Sequence, residues 1–138
     1  MTRAIAAVAA SALLALGLAG CGRLDRRTYV KTNERLFKRL PAFPGARLVS
    51  ETTTGYRLSE DGPIVGYGTR FDLKLPATAT AARVGSFFRQ RLRPRWRLVE
   101  RLDGPVFNFR RGKAFVSINL DNARIHVLEV AVDHAYKT

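Results

Sequence analysis

From Ile64 to Leu75 the chain alternates without a break, with Val65, Tyr67, Thr69, Phe71, Leu73 and Leu75 on one side and Arg70, Asp72 and Lys74 on the other. Successive side chains of an extended strand point to opposite faces, so the segment predicts a strand with one buried and one wet face. Pro76 ends it. The rest of the fold has to supply apolar surface to cover the buried face, and 46% hydrophobic residues in a chain of 138 is enough for one core.

The elements around this strand are read from periodicity and from turn residues. Thr28 to Leu40 predicts a helix, with Tyr29, Asn33, Leu36, Phe37 and Leu40 forming an imperfect stripe that Pro41 stops. Ala46 to Thr54 predicts a strand. Gly55 and the turn Glu60-Asp61-Gly62-Pro63 set off a separate short strand through Tyr56 and Leu58. About Thr78 to Arg93 predicts a second helix, with Val84, Phe87, Phe88 and Leu92 at helical spacing. After Pro94 come four strand-like segments, Arg95 to Leu102, Val106 to Arg110, Ala114 to Leu120 and Arg124 to Asp133. The turns between them are short enough for antiparallel hairpins. Strands, one intervening helix and then a run of hairpins predict an α+β domain: an antiparallel sheet of about five to seven strands with two helices packed on one face, rather than a doubly wound parallel sheet.

The N-terminus belongs to no such domain. It has one cation at Arg3, an apolar run from Ala4 to Gly17 broken only by Ser11, and then Leu18-Ala19-Gly20-Cys21, which is the layout of an export signal. Leu-Ala-Gly-Cys resembles the lipobox of bacterial lipoproteins. The resemblance implies that Cys21 carries a thioether-linked diacylglycerol, that the chain is cleaved on its N-terminal side, and that the new amino group often receives an acyl chain of the palmitate type. It gives a signal peptide over residues 1–20, a lipidated Cys and short tether over 21–27, and one domain over 28–138. The localisation expected is the extracytoplasmic face of a cell membrane, lipid-anchored, with no cofactor beyond the covalent lipid. Cys21 is the only cysteine, so no disulfide within the monomer can support the domain.

The charge then takes on a local meaning. The full chain holds 24 Lys+Arg against 11 Asp+Glu, a formal +13. Such a balance ordinarily points to nucleic acid, but an exported chain with no DNA- or RNA-binding motif argues against that partner. Once Arg3 leaves with the signal, 23 basic residues face 11 acidic ones, and the nearest counterions are anionic lipid headgroups, followed by envelope polymers or a protein partner. The arginines crowd around the end of the second helix and the next strand. Helical phase places Arg91 within the apolar arc, where a snorkelling stem near a helix end is the plainest reading. Strand parity places Arg95, Arg97 and Arg101 on one face. These four are the candidate binding residues, suited to phosphate or carboxylate recognition.

Chemistry finds few candidates. His126 and His134 share a strand face but lie about 27 Å apart, too far to share an ion. No Gly-x-Ser-x-Gly motif or carboxylate pair can be nominated for catalysis. Gly66 and Gly68 lie inside a strand with no following helix, which fits a bulge or a close contact and not a phosphate loop. The mature region also resembles small lipoproteins of high-GC bacteria, through Leu40 to Ala46, Phe87-Phe88-Arg89 and Trp96. The sequence thus predicts a membrane-anchored envelope lipoprotein whose basic domain binds a partner or an anionic surface. The alternative is a small envelope hydrolase, with titratable groups converging in a cleft, or a carrier, with an apolar cavity between sheet and helix.

Overall fold

A computed structural model describes residues 25–101, 106–120 and 127–134, with the side chains of Glu100 and Arg101 excepted. Cys21, His126 and the predicted turns at 103–105 and 121–122 lie outside the described residues.

The first helix, α1, is Arg26–Lys38 and begins two residues before the predicted start. Asp25 is the reason: its Oδ1 accepts from the Arg27 N–H at 3.0 Å and its Oδ2 from the Thr28 hydroxyl at 2.7 Å, which satisfies a backbone donor that the first turn leaves open. Those two bonds, the Thr28 hydroxyl first, hold the Asp25 carboxyl below its ordinary range. Residues 26 and 27 therefore belong to the helix and not to the tether.

Strand β1, Arg47–Arg57, is continuous and is not divided at Gly55. Gly55 instead faces Tyr67 across the ladder, where a Cβ would stand 3.1 Å from Ile64 and 3.2 Å from Tyr67 side-chain atoms. The glycine marks a close approach within one strand and not a break between two. Strand β2, Ile64–Lys74, follows the predicted alternation, with Thr69 and Phe71 buried. Helix α2, Ala81–Leu92, is capped by Thr80, whose hydroxyl accepts from the Arg83 N–H at 3.3 Å. Then come β3 (Arg97–Arg101), β4 (Val106–Arg111), β5 (Ala114–Asn119) and β6 (Val127–His134). Gly112, at φ 58°, turns β4 into β5.

The six strands form one antiparallel sheet in the order β1-β2-β6-β5-β4-β3. The last strand is central. It closes the β3–β6 meander onto β2, and α2 carries the chain between the two hairpin systems. Phe71, Val130, Ile118 and Phe107 lie in one register row across four strands and are all buried. Both helices cover that face. Phe37 of α1 stacks on Phe71 with ring centroids 4.0 Å apart, while Gly85 of α2 lets Leu120 approach to where a Cβ would be 3.1 Å away.

One polar group fixes α1 to the sheet. Asn33 is fully buried, and its Nδ2 donates to the Tyr67 carbonyl and to Thr69 Oγ1, both at 3.1 Å; the Thr69 hydroxyl also meets that of Thr53 at 2.9 Å. The imperfection in the helix stripe is thus a hydrogen-bonded anchor. Asn33→Ala leaves a carbonyl and a hydroxyl short of a donor in an apolar setting. It is expected to lower stability by about 2 kcal/mol in urea denaturation, and a loss within experimental error would remove this role.

Candidate anion-binding surface

The sheet-facing side of α1 is set by Tyr29, Asn33 and Leu36, which leaves Arg27, Lys31, Arg35 and Lys38 exposed. Their spacing of four, four and three residues puts them on one stripe along the helix, about 16 Å long. Glu34 is the one carboxylate in the same sector. It is half-buried and stands close enough to Glu51 to help burial raise that carboxyl's pKa, against the opposing pull of Lys38. The signal for this stripe was present in the sequence as basic residues at i, i+4, i+8 and i+11.

The stripe ends at Arg39, the C-cap of α1, and there it enters a cleft of about 620 Å³ between the C-terminal ends of the two helices. Arg39, Arg91, Arg95 and Arg111 line it together with Trp96 and Pro41, and none of the described lining residues is acidic. Two forces gather cations here. The carbonyl ends of α1 and α2 carry partial negative charge, and aromatic faces hold the guanidiniums: Arg111 lies 4.8 Å from the Trp96 ring centroid and Arg91 lies 5.6 Å from that of Phe87. Arg91 is exposed and not drawn into the core; its place in the apolar arc is explained by the half-buried Phe87 beneath it.

The structure brings Arg91 and Arg95 into one cleft, but the predicted three-arginine strip on β3 does not form. Arg95 lies in the turn before the strand. A register shift between Leu98 and Glu100 then breaks the alternation, so that Arg97 pairs with Arg110 and Arg101 pairs with Phe107, which belong to different faces of β4. Arg97 thus sits on the sheet face away from the helices. Arg39 and Arg111 join Arg91 and Arg95 in the cleft, and sequence could not show this because they are distant in the chain.

The other sheet face carries a second polar cluster. Tyr56 lies opposite Gly66 on β2, and Gly68, two residues on, lies opposite Asp133 on β6. A Cβ at residue 66 would overlap the Tyr56 ring. The glycine therefore lets the ring cross β2 so that its hydroxyl donates to the Asp133 carboxylate. This is the close contact expected at Gly66. Burial first, and the neighbouring Asp133 charge second, push the Tyr56 hydroxyl up to about 12. Burial also raises Asp133, against the lowering effect of the Tyr56 hydrogen bond.

Tyr56 thus stays protonated at neutral pH and works as a donor that clips β1 to β6. Because the folded state holds the Asp133 proton longer than the unfolded chain does, the stability contributed by this group is full below the ordinary value of 3.8 and is lost as pH rises through the raised one. Asp133→Asn should remove this slope: the variant should gain on the parent in urea midpoint as pH rises from below 3.8 to neutrality. Parallel curves would show that Asp133 is not held this way.

Among the described residues no group of three His, Cys, Asp or Glu could hold a metal ion, and no helix is long and apolar enough to cross a membrane. No family model matches the chain, and no curated protein or solved structure is detectably similar to it. Fold and surface define a small α+β domain with helices on one sheet face and a line of cations along the first helix that runs into an arginine cleft.

Proposed function

We propose that the protein is a lipid-anchored envelope lipoprotein whose basic domain binds an anionic surface, with lipid headgroups the nearest candidate. The observation that carries this reading is the continuity of the basic stripe on α1 with the arginine cleft, starting at the residue where the tether ends. Between Cys21 and the cap residue Asp25 there are four residue steps, at most about 14 Å of extended chain. An anchor that short keeps the N-terminus of α1 at the bilayer. The cleft, one helix length away, reaches the same surface when α1 lies along it, and in that pose Arg27, Lys31, Arg35 and Lys38 meet the headgroups together. Each cation near such a surface contributes about 1 kcal/mol.

The test is co-sedimentation of the unlipidated mature chain with vesicles of phosphatidylglycerol and phosphatidylcholine. Binding should rise with phosphatidylglycerol content and weaken steeply above roughly 0.1 M salt, where the screening length is about 10 Å. Binding indifferent to lipid charge or to salt would overturn the reading.

A second reading, a carrier of an apolar ligand, is favoured by one observation. A cavity of about 140 Å³ lies between α1, α2 and the sheet and is lined chiefly by apolar side chains.

A further inference from the structure

We infer that the arginine cleft and this apolar cavity form one site for a small amphiphilic oxyanion: a phosphate-like head bearing an apolar group about the size of a pentyl chain or a benzene ring. The inference rests on the reading of the cleft as an anion site and adds a ligand class to it.

The cavity is lined by Phe37, Leu73, Phe88, Leu128 and Val130, among others, and the exposed Lys38 stands at its rim. Water inside would find few polar partners, while an apolar cavity near 150 Å³ is large enough for a benzene-sized guest. An unfilled space of this kind also forfeits the contacts its walls could make. Size sets the limit on the guest: a full acyl chain does not fit, and five or six carbons do.

Leu40 and Pro41 line both the cavity and the cleft. They form a common wall, with Lys38 on the cavity side and Arg39 on the cleft side. A head held by Arg39, Arg91, Arg95 and Arg111 therefore has, beside Leu40 and Pro41, an apolar space for whatever the head carries. Guanidiniums match the planar, bidentate geometry of phosphate and carboxylate oxygens. A bare anion would use only the cleft and a neutral hydrocarbon only the cavity; an amphiphile of the stated size uses both.

Calorimetric titration of the full chain in phosphatidylcholine nanodiscs tests this, with inorganic phosphate and the series ethyl, butyl, pentyl, hexyl and octyl phosphate as probes. Affinity should rise by about fourfold per methylene from ethyl to pentyl phosphate, as apolar burial predicts, and then level off at hexyl. Arg91→Ala with Arg95→Ala should weaken inorganic phosphate and pentyl phosphate by the same factor. Filling the cavity by Leu73→Phe, or by Ala42→Leu at an exposed position, should flatten the series and leave inorganic phosphate unchanged.

If phosphate binds but the series is flat in the parent, the inference is overturned and the anion reading of the cleft survives. Affinity that keeps climbing past hexyl in step with partition into the nanodisc also overturns it. If no probe binds, inorganic phosphate included, the anion reading of the cleft falls as well. Adding phosphatidylglycerol to the nanodisc tests the head alone: equal competition with inorganic phosphate and pentyl phosphate shows that a lipid headgroup also reaches the cleft, and the chain-length series remains the test of the joint site.

Discussion

Replacing Cys21 with alanine is expected to abolish incorporation of labelled fatty acid and to move most of the protein out of the membrane fraction. The effect should be close to complete because the proposed anchor is covalent, whereas charge attraction to the bilayer is not. A single acyl chain gives only marginal, reversible binding, whereas two or more give stable anchoring. The basic stripe adds attraction that salt can screen, so a high-salt wash of the variant should release what charge alone retains. Cys21→Ser should behave the same way, since a hydroxyl is a much poorer nucleophile for alkylation than a thiol. Retention of the alanine variant in salt-washed membranes, with no label in the parent, would mean that the N-terminal segment anchors the chain as an uncleaved span and that no lipid is attached.

Charge reversal in the cleft should have the next largest effect. With about 1 kcal/mol per cation near an anionic surface, Arg91→Ala with Arg95→Ala should weaken vesicle binding by about 2 kcal/mol, roughly 30-fold. Glutamate at both positions adds repulsion of similar size and should bring binding to the limit of detection. Lys31→Glu with Arg35→Glu on the α1 stripe should act similarly. Arg97→Glu and Arg110→Glu serve as comparisons, because their ladder pairing puts them on the sheet face away from both helices. These should change binding only through the total charge of the domain. The cleft variants are expected to fold normally, since Arg91 and Arg95 are exposed. If Arg97→Glu weakens binding as much as Arg91→Glu, the effect belongs to net charge and the surface assigned here is wrong.

Periodicity made the elements legible, and it left their arrangement open. The alternation from Val65 to Leu75 identified β2 and its buried face, and the Val84, Phe87, Phe88, Leu92 spacing identified α2, because in both cases local pattern and tertiary burial agree. Strand order was not legible. β6 inserts between β2 and β5 because its even-numbered residues Leu128, Val130 and Val132 continue the buried face that Leu73, Phe71 and Thr69 present on β2, a match between segments far apart in sequence. The division of β1 at Gly55 failed for a similar reason: the glycine answers to Ile64 and Tyr67 across the ladder and not to its own neighbours. The strip expected on β3 did not form, because Arg95 lies in the turn before the strand and because parity assumes an unshifted register, whereas β3 shifts between Leu98 and Glu100. Arg91 and Arg95 were reachable from sequence. Arg39 and Arg111 join them only because two helix ends and a hairpin converge.

If the anionic surface is met at the arginine cleft, as proposed, the chain carries its own reporter there. Trp96 is the only tryptophan, it is buried with 6% of its surface exposed, and the Arg111 guanidinium lies 4.8 Å from its ring centroid. Drawing that guanidinium toward a phosphate should change the environment of the indole. Titrating the unlipidated chain with phosphatidylglycerol vesicles is therefore predicted to shift Trp96 emission in a saturable way that salt reverses, with no shift from phosphatidylcholine. Vesicle binding with unchanged Trp96 emission would place the contact elsewhere on the domain and contradict the account.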